Sequence, residues 1–476
     1  MGWLLIALVL LPAGAALAAY AHRSPPLRSV WLLAAAAGHL AGVGALWTRP
    51  ALSSLGGWLA TDGLGLIVLT LVSVLFFATA LYAIGFLRTE KARGGRVFVS
   101  CLLGFLAAAS LVALSHHMAL VWVGMESVTL SLAPLVYHRH DRRSLEAVWK
   151  YLVLSSVGIA LALFGTFFLA AAQTTGRPLV IEDLVAGAGS LQPALLRAAF
   201  VFLLVGYGTK MGLAPLHAWK PDTYGEAPGL VAGLMAGALT SCAFVALARI
   251  TEVTMAAGLG SFIQPVLVAF GLVSLAVAAV FMLGQTDLKR LLAYSSVEHM
   301  GLLVLGLGFG GVGAYGSALH VVNNGVTKGL LFLTASNVAL ASDPSQPSSS
   351  RGLLRRLPIS GVLLLLGLFA VTGSPPFGPF VSMFTIFRSA IDGGHPWIAG
   401  VMVALLAVVF VGMGVTVLPM LYDPAPAAEP RVREPALLVG GPIALAVALV
   451  VLGLYLPAPL QHLLAEAARA LGGRSP

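Results

Sequence analysis

Apolar stretches of about 18 to 25 residues recur along the whole chain and are separated by short polar connections. About 20 apolar residues are enough for an α-helix to cross the hydrocarbon core of a bilayer. The pattern therefore predicts an all-α, polytopic membrane protein with about fourteen transmembrane helices. We place them at about 3–21, 29–47, 63–86, 97–115, 118–137, 148–172, 196–213, 229–250, 262–283, 291–309, 313–341, 358–388, 397–420 and 435–456.

Glycine and proline interrupt two of these spans in a similar way. The seventh span runs into GYGTKMGLAPLHAWKPD at 206–222, and the twelfth contains TGSPPFGPF at 372–380. Paired broken helices are typical of inverted repeats around an ion site, although proline kinks without that role are also common in membrane helices. We predict two inverted five-helix repeats at 97–252 and 253–420, after a three-helix segment at 1–96 and before a linker and C-terminal helix at 421–476.

Composition and charge agree with a membrane protein. The chain is 59% hydrophobic and only 9% charged, with a mean hydropathy of +0.95. A net charge of +9 could indicate nucleic-acid binding, but the basic residues lie mostly in short connections, where they indicate orientation. Because the odd-numbered connections hold most of them, we expect these connections to be cytoplasmic. Both termini would then lie outside the cell inner (plasma) membrane.

Neither the N-terminus nor the cysteines indicate a cleaved or redox-active protein. The first apolar stretch could be a signal peptide, but it lacks a basic leading region, so we favour a retained span. Cys101 and Cys242 both lie inside apolar spans, as small core residues do. The sequence contains no CxxC, glycine-rich phosphate loop, haem motif or metal-ligand cluster. We therefore expect no metal, no cofactor and no catalytic residue in this chain.

Lys210 and Glu126 are ionisable residues inside predicted spans, the seventh and the fifth. A charged lysine in hydrocarbon costs at least about 3 kcal/mol, so such residues usually face a polar cavity and function there. A buried carboxylate seeks a cation, and Lys210 is the natural partner of Glu126. The pair could switch as protons arrive, or it could be a static pair that holds two helices in register.

The eleventh span has polar residues on one face, because His320, Asn324 and Lys328 are spaced four residues apart. Imidazole and amine groups can pass protons, and an amide can order water. The alternative is a histidine that is merely hydrogen-bonded within the core. The spacing favours a proton-carrying face.

Two further histidines are candidates for the same pathway. His299, beside Glu298 in the tenth span, could feed protons inward from the cytoplasmic side. Glu298 itself could instead be an interfacial packing residue. His217 follows the first helix break and could connect Lys210 to the second repeat.

Other polar residues are expected to have local roles. We expect Lys220, Asp222 and Glu226 to form a solvated loop cluster, with gating as the alternative. Arg249 and Glu252 could pair at the outer edge of the eighth span, and His116 and His117 are expected to lie at the interface.

Four motifs together resemble the antiporter-like membrane subunits of complex I and its relatives, which include membrane-bound hydrogenases, formate hydrogenlyase and multisubunit cation/proton antiporters. They are GYGTKMGLAPLHAWKPDTYGEAPGLVAGLMAG, DLKRLLAYSSVEHMG, HVVNNGVTKGLLFL and TGSPPFGPFVSMF, in this order, and the resemblance covers about residues 60–420. SSVEHMG is most similar to the hydrogenase-4 and formate-hydrogenlyase branch.

The resemblance implies a fourteen-helix fold with two inverted repeats and a polar axis driven by redox chemistry in partner subunits. By motif position, Glu126 and Lys210 match the glutamate–lysine pair of the family. His320 and Lys328 match its central histidine and lysine, and His299 matches a histidine found in some branches.

The chain differs from this family at three positions. A second histidine is frequent where this chain has Asn324, and some branches have a lysine in place of Ser241. The twelfth helix usually carries Lys or Glu after its break, where this chain has Met383. A thioether holds no proton, and Arg388, about a turn later, stays charged. The second half-channel is therefore expected to be altered, to use water and Ser382, or to be inactive.

These observations predict a proton-translocating subunit of a multisubunit redox complex of the NADH-quinone oxidoreductase or hydrogenase type. Its expected partners are other membrane subunits, a peripheral redox arm, protons or sodium, and the lipid bilayer, but not nucleic acid. Two alternatives stay open: a membrane subunit of an ion or inorganic-carbon uptake or cation/proton antiporter complex, and a non-conducting scaffold. The expected proton pathway comprises Glu126, Lys210, His217, His299, His320, Asn324 and Lys328.

Overall fold

The structure, a computed structural model, is almost entirely helical over the residues that it describes, which are 2–49, 51–89, 95–173, 176, 178–342, 350–424 and 431–473. The helices are α1 (Trp3–Ala21), α2 (Pro25–Leu46), α3 (Gly63–Thr89), α4 (Gly95–Leu114), α5 (Met118–Val136), α6 (Arg142–Ala172), α7 (Ile181–Ala186), α8 (Pro193–Met211), α9 (Trp219–Glu226), α10 (Gly229–Leu234), α11 (Thr240–Ala256), α12 (Gly260–Met282), α13 (Leu288–Phe309), α14 (Val312–Ala341), α15 (Leu353–Arg356), α16 (Pro358–Val371), α17 (Gly378–Asp392), α18 (Pro396–Tyr422), α19 (Ala436–Leu454) and α20 (Ala458–Ala470). A small antiparallel sheet, β1 (Ser53–Ser54) with β2 (Leu59–Ala60), lies between α2 and α3.

The prediction of an all-α, polytopic membrane protein is confirmed. Twelve of the described helical segments are long and apolar enough to cross a membrane, and a π-helical turn at Met235–Leu239 joins α10 and α11 into one of them. The other two predicted spans are α14 and the α16–α17 pair. α14 is 30 residues long, but His320, Asn324 and Lys328 reduce its hydropathy. The twelfth predicted span is divided by its break into α16 and α17.

Burial separates central helices from peripheral ones. In the most apolar part of each span, 100% of the residues are buried in the α10–α11 span and 94% in α13, whereas 28% are buried in α1 and in α18. α14 lies in this centre, in contact with α13, α17, α3 and α19. Peripheral helices expose large apolar side chains such as Trp3, Phe164 and Val415, as a lipid-facing surface does. The polar residues of α13 and α14 are therefore enclosed by protein.

The two Gly/Pro breaks end their first half-helices with the same hydrogen-bonded cap. At the first, Gly212 has φ +71° and the Leu213 N–H donates to the Gly208 carbonyl at 2.9 Å. At the second, Gly373 also has φ +71° and the Ser374 N–H donates to the Phe369 carbonyl at 2.9 Å. This is the Schellman arrangement, in which glycine accepts the left-handed conformation. α9 and α17 then continue each broken span.

One helix begins earlier than the sequence predicts, and another was not predicted. α6 begins at Arg142, six residues before the predicted span, because Asp141 and Ser144 form a reciprocal capping box. α20 was not predicted; it follows α19 and packs against α3 and α14. Its Leu460 and Leu464 are buried, one turn apart on the same face.

Candidate functional site

Lys210 lies in the last turn of α8, immediately before the first helix break. Its side chain is fully buried, and Nζ donates to Thr129 Oγ1 at 2.5 Å and to Glu126 Oε2 at 3.3 Å. Both partners lie on one face of α5, three residues apart. The Glu126 side chain is 23% exposed, so this carboxylate lies where the interior meets the surface. The structure thus brings the predicted pair together and adds Thr129 to it.

Lys220 was predicted to belong to a solvated loop cluster, and that prediction is wrong. It lies in the first turn of α9, the second half of the broken span, with no exposed surface. Its Nζ donates to Ser296 Oγ at 3.3 Å and lies 5.9 Å from the centre of the Tyr224 ring. The break returns the chain to the interior, so α9 carries a lysine into the core.

Lys328, on α14, is also fully buried and faces α13. Its Nζ donates to Ser295 Oγ at 2.7 Å, and that hydroxyl donates to Glu298 Oε2 at 3.4 Å. Glu298 is buried, which excludes the interfacial packing role considered for it. Ser295, which bonds Lys328, is adjacent to Ser296, which bonds Lys220. Two lysines from different helices therefore form hydrogen bonds with the hydroxyls of two consecutive serines on α13.

His299 and His320 are in direct contact. His299 Nδ1 and His320 Nε2 are 2.9 Å apart, and the rings stack with centroids 5.1 Å apart. His320 Nδ1 lies 2.9 Å from Ser382 Oγ on α17, and Asn323 Nδ2 donates to the same hydroxyl at 3.2 Å. The chain of polar contacts thus extends from α13 through α14 to the second broken span.

Two predicted pathway residues do not join these contacts. Both amide atoms of Asn324 are buried without a hydrogen-bond partner among the described residues. The neighbouring Asn323 instead bonds Ser382 and the Gly378 carbonyl. His217 is partly buried and packs near the rings of Phe281 and Tyr294, and its Nδ1 has no partner in the described structure.

The position after the second break is apolar. Met383 is buried in a cluster with Leu275, Leu302, Leu305, Ile386, Ile398 and Met402. Arg388 does not replace its missing charge, because the guanidinium is exposed and pairs with Asp392 at 3.2 Å. The polar contacts therefore stop at Ser382 on this side of the described structure.

A separate cluster at the helix ends corrects the expected Arg249–Glu252 pair. Arg249 donates instead to the carbonyls of Val112 (3.0 Å), Ala113 (2.8 Å) and Ser115, at the end of α4. Its other partner is Asp62, 3.4 Å away in the connection before α3. Arg249 thus connects α11 to the end of α4 and to the segment before α3.

The remaining charges of the first break form surface ion pairs. Asp222 pairs with Lys150 at 2.7 Å and with Arg290, and Glu226 pairs with Arg139 at 3.7 Å. These two residues match the expected loop cluster, in contrast to Lys220.

Sequence reasoning missed Thr129, Ser295 and Ser296, whose hydroxyls bond the buried amines, and Asn323, which bonds Ser382. One signal was available, since Ser295 and Glu298 are three residues apart and share a helix face. For Lys220, the sequence feature that indicates burial is its position directly after a break within a predicted span.

Comparisons with known proteins agree with this arrangement. Residues 115–410 match the family model described as NADH:quinone oxidoreductase/Mrp antiporter, TM. A hydrogenase-4 component F homolog of Methylacidiphilum infernorum is 34% identical over 347 residues, which are 70% of this chain and 73% of that protein. NADH-quinone oxidoreductase subunit N of Alkalilimnicola ehrlichii is 30% identical over 426 residues, 86% of this chain and 84% of that protein.

A solved structure extends the likeness to the whole fold. A chain of the archaeal membrane-bound sulfane sulfur reductase superposes with a TM-score of 0.90 at 22% identity, over 98% of this chain and 97% of that one. The matched family region contains Glu126, Lys210, His320 and Lys328. This chain therefore belongs to the NADH:quinone oxidoreductase/Mrp antiporter transmembrane family, as an antiporter-like membrane subunit.

Proposed function

We propose that this chain translocates protons as a membrane subunit of a multisubunit redox complex of the NADH-quinone oxidoreductase or hydrogenase type. The observation that carries the proposal is the buried Lys210 amine, held between Glu126 and Thr129 at a helix break. The relatives named as a hydrogenase component and as an NADH-quinone oxidoreductase subunit support the redox partner.

The proposed mechanism couples the charge on Lys210 to events in partner subunits. A charge that appears near the partly exposed Glu126 changes how strongly this carboxylate stabilises the ammonium of Lys210. The proton then moves inward toward Lys328, His320 and His299. Lys328 lies 2.7 Å from Ser295, which contacts Glu298 at 3.4 Å, and the two imidazoles and Ser382 are linked by contacts of 2.9 Å. His217 and Asn324 stay predicted members of the pathway that act through water.

The proposal is tested by Lys210→Ala in the complex isolated through a tag on this chain and reconstituted in vesicles. NADH or hydrogen is supplied according to the redox subunit that copurifies, and a pH-sensitive dye reports proton flux. Flux per electron should fall to a small fraction of its normal value, because alanine can hold no proton. The matched control is Lys150→Ala, which removes a lysine from a surface ion pair and should leave the flux unchanged.

A non-conducting scaffold is the second candidate function, and the apolar surroundings of Met383 favour it. It predicts unchanged proton flux per electron in Lys210→Ala, so the same experiment decides between the two. A complex without any redox subunit would instead favour the ion or inorganic-carbon uptake alternative.

We also propose the two inverted repeats and the orientation expected from the sequence, with both termini outside the plasma membrane. The identical caps at Gly212 and Gly373 support the repeats. The orientation is tested by single cysteines at exposed positions in a background without Cys101 and Cys242. An impermeant maleimide should label Thr48→Cys in intact cells, but Arg142→Cys only after the cells are opened. The reverse pattern would overturn the orientation.

A further inference from the structure

Lys220 is a buried amine that links the first helix break to the centre of the molecule. The preceding break brings it close to Gly212, where a Cβ atom would overlap the Lys220 side chain. Gly212 therefore provides both the left-handed cap and the space through which Lys220 reaches inward. This is an unusual placement for a lysine, because burying its charge is expensive unless it is compensated.

The polar partners of Lys220 do not require its amine to be either protonated or neutral. Its hydrogen bond goes to a neutral hydroxyl, Ser296, and Lys328 is held in the same way by Ser295. Within the described residues, neither amine forms an ion pair with a carboxylate at 4 Å or less. Glu298 is the buried carboxylate of this region, and it contacts Lys328 through Ser295.

The balance of buried charge limits how many protons the two amines hold. Two ammonium groups beside one carboxylate would leave an uncompensated charge in the core, which is strongly unfavourable. One ammonium and one amine beside Glu298 would leave no net charge. Ser295 and Ser296 are consecutive residues of α13, and each bonds one lysine. Because each hydroxyl can donate or accept, it can solvate either form of its lysine.

We propose that Lys220 carries a proton in the interior pathway and shares it with Lys328 across Ser295 and Ser296. In the transfer, the N–H bond of one ammonium breaks and leaves an amine, while the other amine gains the proton and becomes the ammonium. The net charge of the pair is unchanged. This inference rests on the proposed function and adds to it the group that connects the two halves of the chain.

The test compares Lys220→Met and Lys220→Arg in the vesicle assay described for Lys210→Ala. Methionine holds no proton, and arginine keeps the charge and the hydrogen-bond donors but does not deprotonate. Both variants should lose most of the proton flux per electron, with the yield of assembled complex measured in parallel. A purely structural cation would behave differently, because arginine would restore the flux that methionine abolishes.

The outcomes separate this inference from the proposed function. Normal flux in Lys220→Arg, or in both variants, while Lys210→Ala abolishes flux, would overturn the role of Lys220 alone. Normal flux in Lys210→Ala would overturn the proposed function. If neither Lys220 variant assembles, Ser296→Ala decides, because it removes only the hydroxyl that Lys220 bonds. It should reduce flux relative to Ser131→Ala, a hydroxyl control on α5, and equal flux in the two would reject the inference.

Discussion

At the residue scale, each of the three buried amines is matched to a hydroxyl group. Lys210 bonds Thr129, Lys220 bonds Ser296, and Lys328 bonds Ser295. A hydroxyl accepts a hydrogen bond from an ammonium and can donate one to an amine, so it accommodates both states. A carboxylate favours the charged state only. Of the three, Lys210 alone also pairs with a carboxylate, Glu126, which makes it the amine most sensitive to a change in an acidic partner.

Met383 provides a residue-scale prediction about the second half of the chain. The substitution Met383→Lys adds the charged group that the resemblance leads one to expect. Its surroundings are Leu302, Ile386 and other apolar side chains, so the new ammonium would be buried without a partner. We expect a lower yield of assembled complex and no gain in proton flux, measured by tag purification and the vesicle assay.

The control for this substitution is Met383→Leu, which conserves volume and should leave both the yield and the flux close to normal. A Met383→Lys complex that assembles normally and pumps more protons per electron would contradict the prediction. It would mean that water reaches this position in the assembled complex.

At the element scale, the sequence predicted the spans and both breaks because these depend on local signals. Length and apolar content identify a spanning helix, and Gly and Pro mark where its hydrogen bonding ends. Even α14, with its polar residues, was identified from its apolar run. Its tolerance of these residues has a tertiary cause, since α14 is enclosed by α13, α17 and α3 rather than by lipid.

The elements that the sequence did not predict depend on tertiary packing. α9 reads WKPDTYGE, a polar segment, and composition alone assigns it to a loop. In the interior, Lys220 of this helix is solvated by Ser296 of α13 and lies near the ring of Tyr224 on α9 itself. Likewise, the sequence places His299 and His320 in different spans, and only the packing of α13 on α14 brings them to 2.9 Å.

At the scale of the whole molecule, the cluster at Asp62 fastens helices that are distant in sequence. Asp62 caps the start of α3 through the Gly65 N–H at 3.1 Å and also contacts His116 at 3.3 Å and Arg249 at 3.4 Å. Burial acts to raise the pKa of Asp62, but the Arg249 guanidinium and the His116 ring, with the Gly65 N–H, hold the pKa well below its ordinary range. The folded protein therefore stabilises the ionised carboxylate of Asp62.

The sign of this shift sets a pH dependence for stability. A carboxyl group whose pKa is lower in the folded state adds stability above its ordinary pKa of about 4, and this contribution is lost as the pH falls below that value. Asp62→Asn should lower the melting temperature of the detergent-solubilised protein at pH 7. The difference from the unmodified protein should shrink as the pH falls from about 5 to about 3, and thermal unfolding measured across this range checks it.

The control is Asp392→Asn, which removes an exposed i,i+4 pair with Arg388 and should have little effect on the melting temperature throughout. If the melting-temperature difference between Asp62→Asn and the unmodified protein stays constant down to about pH 3, the prediction is wrong. The contacts among α3, α4 and α11 would then depend on the shape of the Asp62 side chain and not on its charge.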